Sequence, residues 1–471
     1  MKIKNKSDEF MKSKKIDLKK IIFIVSVIVI IILILLLFEM FIKNDDDNIS
    51  FNIESDKKRA SEISKLYKDD YASPVLLKES SINKSGSYEL RGNYECIKIN
   101  TNLNVSLILN NANIVCNNGP AIYVENAKSL HVDLNGDNYI NSNTTADLDG
   151  AIYSKDDLIF TGDGLLNIVS NYEGIVSNDN LVFKSGKYLI NSVETAIKGK
   201  DVVAIENGSF TIHSSGDGIK SSNNQNSSKG YITIDNGKFD IDSSLDGLQA
   251  ETDVLIGNGE FKIKTRIDNE ESSKAIKADN MIEIKDGKFD INSVDDGINS
   301  NGNMKIDGGD ISINSNDEGI KVTGMFINCG NLIINSKDGI KASYFKMDGG
   351  HLVINAQDEG ITTLNDINKY NATCEINNGN IDIYMGPGSK GGIICLGNFI
   401  IHNGVINVTG DLPFVFSGTV FDDGGTIVMN GENVSDISIM APRKKTTNNG
   451  NNNNHSEHSI RRDKNTQKKD Q

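Results

Sequence analysis

Ten copies of one short motif set acidic residues at a repeating phase along this chain. A small residue followed by Ile or Leu, usually preceded by an acid, recurs from Asp149-Gly150-Ala151-Ile152 to Glu359-Gly360-Ile361. The acids at this phase include Asp217, Asp246, Asp296, Glu318, Asp338 and Glu359, and Asp295, Asp317 and Asp358 double three of them. Stacked at the ~5 Å spacing of neighbouring strands, such carboxylates repel unless they are solvated, paired or metal-bound. Calcium is the cation they suit: it is hard and takes about six to eight oxygens. Glycine beside each acid lets a backbone carbonyl turn toward an ion. These nine acids are therefore candidate Ca2+ ligands. The spacing is neither a nine-residue calcium repeat nor an EF-hand loop. Lysines three residues further on, among them Lys220, Lys321 and Lys341, form a parallel column expected to face outward. The competing expectation is a surface of solvated charges that compensate one another. The six histidines are dispersed and do not suggest zinc, and no Ser nucleophile elbow or phosphate loop is present, so no catalytic residue is assigned.

What positions these acids is a repeat. From Ala151 to Gly360 the steps between the small residues are 23, 22, 22, 29, 28, 22, 22, 20 and 21. Between them lies a second element, Asn-Gly or Gly-Gly followed by alternating apolar residues. Examples are Asn236-Gly237-Lys238-Phe239-Asp240-Ile241 and Asp286-Gly287-Lys288-Phe289-Asp290-Ile291. Period-2 alternation between turn pairs marks short strands with one buried face. Several sharp turns in every ~22 residues describe one coil of a parallel β-helix. The expected fold is thus all-β, a solenoid of some fifteen coils and roughly 70 Å at the strand spacing. The longer steps read as loops at Asn223–Lys229 and Arg266–Ser273, with another at Asp366–Thr373. Tyr188, Phe210, Phe239, Phe261 and Phe289 align coil on coil and are expected to point inward as a core ladder.

The ends differ from the body. Ile21–Ile42 is nearly continuous Ile, Val, Leu and Phe, long enough to span a bilayer as a transmembrane helix. Eight lysines precede it and Asp45-Asp46-Asp47 follows. The expected topology is a single-pass signal anchor, with residues 1–20 cytoplasmic and everything after residue 43 outside the cell. Residues 43–79 read as a linker, 80–442 as the β-helix, and 443–471 as a disordered polar tail. Both terminal tails carry eight basic residues against three acids, so a net charge of −15 overall leaves −25 on residues 21–442. Such a body repels the phosphate backbone, which excludes nucleic acid as a partner. Five cysteines are an odd number for an exported chain; Cys374 and Cys395 sit at different repeat phases, and packing rather than a structural disulfide is expected of all five.

The body resembles the bacterial carbohydrate-binding β-helix domain family. The resemblance is carried by Asp217-Gly218-Ile219-Lys220-Ser221 with Lys229-Gly230-Tyr231-Ile232-Thr233-Ile234, by Asp246-Gly247-Leu248-Gln249-Ala250-Glu251-Thr252-Asp253, and by Gly150-Ala151-Ile152-Tyr153-Ser154-Lys155-Asp156-Asp157-Leu158. It covers about residues 80–435. It implies a right-handed parallel β-helix with a pectate-lyase-like fold, binding to cellulose and acidic sugars, and bound calcium. The chain departs from the pattern where Lys274 and Thr195 replace the acid. Three functions follow as alternatives. The first is an extracellular, membrane-anchored binder of acidic polysaccharide, monomeric and helped by calcium, with Lys220, Lys321 and Lys341 as candidate sugar contacts. The second is a calcium-dependent polysaccharide lyase using one of those lysines as base. The third is a structural or adhesive surface rod.

Overall fold

The turn pairs and the period-2 alternation produce strands of mostly three to six residues, three to a coil. The computed structural model describes residues 54–68, 73–266, 273–365, 370–435 and 437. The expected anchor at 21–42, the polar tail from 443 and loop residues 267–272 and 366–369 lie outside them. Among the described residues, no helix is long and apolar enough to cross a membrane.

One coil comprises Ile276–Ala278, Met281–Ile284 and Lys288–Ser293; the next comprises Ile298–Ser300, Asn303–Ile306 and Asp310–Ser315. Each strand pairs in parallel with its counterpart one coil on, through Ile276↔Ile298, Met281↔Asn303 and Lys288↔Asp310. The same pattern carries through the body, and its strands join into one long sheet, the topology of a parallel β-helix. At the far end Thr426–Met429 turns back antiparallel onto Glu432–Val434.

Alternation fixes which side chains enter the core. In Lys288–Ser293, Phe289 and Ile291 are buried while Lys288, Asp290 and Asn292 are exposed. Tyr188, Phe210, Phe239, Phe261 and Phe289 stack as expected, with successive ring centroids 4.8, 5.0, 4.6 and 4.6 Å apart and planes within 10°. Those separations are the ~4.8 Å spacing of neighbouring strands, so the coil repeat itself sets the stacking distance. Glycines keep the turns tight. At Gly218 an added Cβ would meet the Gly247 carbonyl oxygen and Ile241 Cγ2, each at 2.6 Å. That close approach explains why the residue after the acid is small. Gly237 sits at φ +143°, with the Phe239 ring 2.9 Å from where a Cβ would lie.

Two departures from expectation stand out. Cys96 and Cys116 form a disulfide, whereas packing was expected of every cysteine. They are 20 residues apart, about one coil, so stacking brings them to neighbouring positions. Cys374 and Cys395 remain free and buried. Residues 54–68, part of the expected linker, lie instead against the body as a strap. Its short helix α1 (Ala60–Ser64) presents Ala60 and Ile63, which with Tyr67 pack on Ile159, Val182, Val202, Ala204 and Tyr231. The Asp235 carboxylate accepts from the Ala60 and Ser61 amides at 3.2 and 2.7 Å, satisfying N–H groups at the helix start. Arg59 pairs with Glu283 at 2.6 Å.

Candidate functional site

The acids that precede the small residues are buried rather than solvated: Asp217, Asp246, Asp296, Glu318 and Asp338. Stacking supplies the reason. The Asp246 amide donates to Asp217 Oδ1 at 3.0 Å and the Lys274 amide to Asp246 Oδ1 at 2.7 Å. The Glu318 amide reaches Asp296 Oδ1 at 3.4 Å. Each of these carboxylates accepts an N–H from the next coil, which offsets part of its desolvation.

The lysines stand in register beside the buried Ile, Lys198 with Lys220 and Lys321 with Lys341, and from that outward column their ammoniums close onto these acids. Lys220 lies 2.7 Å from Asp217, and Lys321 and Lys341 lie 3.0 and 3.2 Å from Glu318. Lys277 stands 3.6 Å from Asp246. Burial opposes the charge on Lys321, but Glu318 and Asp296 outweigh it and raise the ammonium's pKa. Burial and Asp217 push Asp246 up to about 6. Burial and Glu318 push Asp296 up to about 7. On Glu318 burial acts upward, yet the hydrogen bond from Asp296 and the two lysines bring it down to about 2. Asp296 and Glu318 thus share a proton unequally.

Of the nine candidate ligands, six gather into two groups whose oxygens lie within 4.8 Å of one another: Asp295 with Asp296 and Asp317, and Asp338 with Asp358 and Glu359. Asp217 and Asp246 join neither, and Glu318 faces its two lysines. The first group is already compensated. Lys274 lies 2.8 Å from Asp295, and Lys337 lies 2.9 Å from Asp317. The second is less so. Lys390, itself exposed, pairs with Asp358 at 2.6 Å and Glu359 at 3.2 Å. Asp338 Oδ1 is buried with no hydrogen-bond partner, and burial followed by Glu359 raises its pKa. Lys337 and Lys341 act on Asp338 only through space, so three clustered carboxylates with one orphaned oxygen remain a donor set that suits a hard divalent cation.

Beside these groups runs a groove of about 640 Å³ that begins at Lys264 and ends at Tyr384. Its lining residues Val294, Asn316 and Gln357 immediately precede Asp295, Asp317 and Asp358 in the chain. Its lining also carries one register column: Lys264, Asn292, Asn314, Asn335, Asn355 and Tyr384. The amides are linked, Asn314 Nδ2 donating to Asn292 at 3.3 Å, Asn335 to Asn314 at 2.9 Å, and Asn355 to Asn335 at 2.8 Å. Sequence reasoning passed over this column. Its signal was the recurring Ile-Asn-Ser of Ile291-Asn292-Ser293, Ile313-Asn314-Ser315 and Ile334-Asn335-Ser336.

Fold and site together define a β-solenoid with an acidic, grooved flank. The chain belongs to the carbohydrate-binding domain-containing protein family, whose model matches residues 78–319. Among solved structures it is similar to a polysaccharide lyase-like protein from C. thermocellum, solved as a gadolinium derivative. That match has 20% identity and a TM-score of 0.36, over 52% of this chain and 86% of the other. No curated protein matches the sequence.

Proposed function

We propose that this chain is a carbohydrate-binding rod held outside the cell by an anchor at residues 21–42, and that it takes acidic, uronate-containing polysaccharide with calcium as the bridge. The orphaned Asp338 Oδ1 beside Asp358 and Glu359 carries this reading. A polyuronate and a body of net charge near −25 repel each other, so a cation between them would strengthen their contact. Asp338, Asp358 and Glu359 would hold calcium, which would offer its remaining positions to sugar carboxylates. The Cys96–Cys116 disulfide suits an oxidising exterior. Binding without cleavage is favoured over lyase chemistry because Lys321 is held charged and Lys220 and Lys341 are tied to acids, which makes all three poor bases.

Thermal melting and retention on polygalacturonate, each with calcium and with chelator, test the proposal. Calcium should raise the melting temperature by binding the folded state preferentially, and it should strengthen retention. Asp338→Asn should abolish both effects. Melting and retention that ignore calcium would overturn the calcium bridge, and unsaturated uronate products would overturn the non-enzymatic reading.

A further inference from the structure

We infer that the groove between Lys264 and Tyr384 is the seat of the sugar chain itself: an extended pyranose polymer lying along the rod axis with its hydroxyl edge on the asparagine ladder. This deepens the carbohydrate reading and rests on it.

The hydrogen-bond inventory of the ladder selects the ligand. A primary amide has two N–H donors and two acceptor lone pairs. Asn314 donates to Asn292 and accepts from Asn335, and Asn335 donates to Asn314 and accepts from Asn355. Each of these two keeps one N–H and one carbonyl lone pair for an incoming group. A hydroxyl both donates and accepts, so it uses both halves. A carboxylate or phosphate would use only the N–H, and an ammonium only the carbonyl.

Spacing and the two ends agree with this. Coils succeed one another every ~4.8 Å, so the five steps from Lys264 to Tyr384 span about 24 Å. That step is comparable with the length of one pyranose residue in an extended 1,4-linked chain, so each sugar meets about one coil. At one end Tyr384 is 50% exposed and beside Met385, offering a ring face to the apolar side of a sugar. At the other end Lys264, followed in the column by Asp242, closes the uncharged strip that runs from Asn292 to Tyr384.

The groove and the carboxylate group then make separable contributions. Hydroxyls are common to neutral and acidic sugars, so the ladder acts without calcium. The Asp338, Asp358 and Glu359 group, next to the lining residue Gln357, adds only where the sugar carries a carboxylate. A ladder that merely stiffens stacked coils would alter melting and leave binding untouched.

The test is calorimetric titration of the full chain with cello-oligosaccharides and oligogalacturonates of two to eight units, in calcium and in chelator. Affinity should grow with length and level off at about five units. Asn335→Ala, and separately the exposed Tyr384→Ala, should each weaken both ligands about tenfold. Asp338→Asn should weaken only oligogalacturonate, and only in calcium. Both groove variants binding both ligands as tightly as the parent, whatever their melting temperatures, would overturn the groove assignment while parental binding upheld the carbohydrate reading. A parent chain that binds neither ligand would overturn both.

Discussion

The Lys274 ammonium lies 2.8 Å from the Asp295 carboxylate and 4.0 Å from that of Asp296. Lys274 occupies the phase at which neighbouring coils carry an acid, and its own amide caps Asp246 from the coil before. One basic substitution therefore divides the acid column in two. Upstream, Asp217 and Asp246 are settled by Lys220, Lys277 and backbone amides. Downstream, Asp338, Asp358 and Glu359 gather with the exposed Lys390 as their contacting cation.

Stability should fall as pH rises through neutrality in calcium-free buffer. Asp296 keeps its proton up to about pH 7 when folded, against 3.8 for an ordinary Asp carboxyl, so between those values the folded chain binds more protons than the unfolded one. Stability then decreases with pH across that window. Asp246, pushed up to about 6, and Glu173, pushed up to about 7 by burial, act in the same direction. Glu318, held at about 2 from 4.5, acts oppositely and loses its contribution only as pH drops below 4.5. The melting temperature should be higher at pH 5 than at pH 8, and Asp296→Asn should shrink the difference. Equal melting at both pH values would contradict the burial of these acids.

The aromatic ladder should be a main source of cohesion. Phe239 is sandwiched between Phe210 and Phe261 and is fully buried. Phe239→Ala should cost about 3–5 kcal/mol and Phe239→Leu markedly less, read from urea unfolding. A neutral Phe239→Ala would mean that the coils collapse freely into the vacated space.

Reducing Cys96–Cys116 should act locally. A cross-link closing a loop of this length is worth about 3 kcal/mol, but in a solenoid each coil contacts only its neighbours. Amide exchange should speed up in Gly86–Tyr94 and Asn104–Cys116, which pair with each other, and stay unchanged in Lys288–Ser293. Uniform acceleration along the chain would show that the rod unfolds as one unit.

Whole coils should be removable. Ile320 pairs with Ile340, so excising Lys321–Ile340 joins Ile320 to Lys341 in register and should leave a shorter folded rod by circular dichroism. Excising half that length should not, because downstream strands would turn their apolar faces outward. Equal tolerance of the two excisions would be incompatible with stacked coils.

The coil repeat and the core ladder were legible because alternation and turn glycines are local signals: Phe239 and Ile241 point inward whatever the neighbouring coil does. The carboxylate groups were legible only as a phase. That Asp217 is buried depends on a donor from Asp246 in the next coil, a relation between coils that no single repeat displays. The asparagine column was hidden for the opposite reason, since one exposed Asn per strand is unremarkable until Asn292, Asn314, Asn335 and Asn355 are placed in register. Cys96 and Cys116 were separated by about one coil, a clue that lay in the spacing and became decisive only on stacking. The strap depends on partners as distant as Glu283, beyond the reach of local pattern.

That strap also fixes an order in time. Its residues meet the coils in reverse: Tyr67 meets Asn180, Ser64 meets Glu206, Ala60 meets Asp235 and Arg59 meets Glu283. The Arg59–Glu283 contact closes a separation of 224 residues, although the strap is synthesised before every coil it touches. It has nowhere to dock until those coils have stacked. Ile159, Val182 and Ala204, which Ala60, Ile63 and Tyr67 cover, must therefore wait bare for the coils through Asp235, and the Arg59 contact waits longer, for the coil of Glu283.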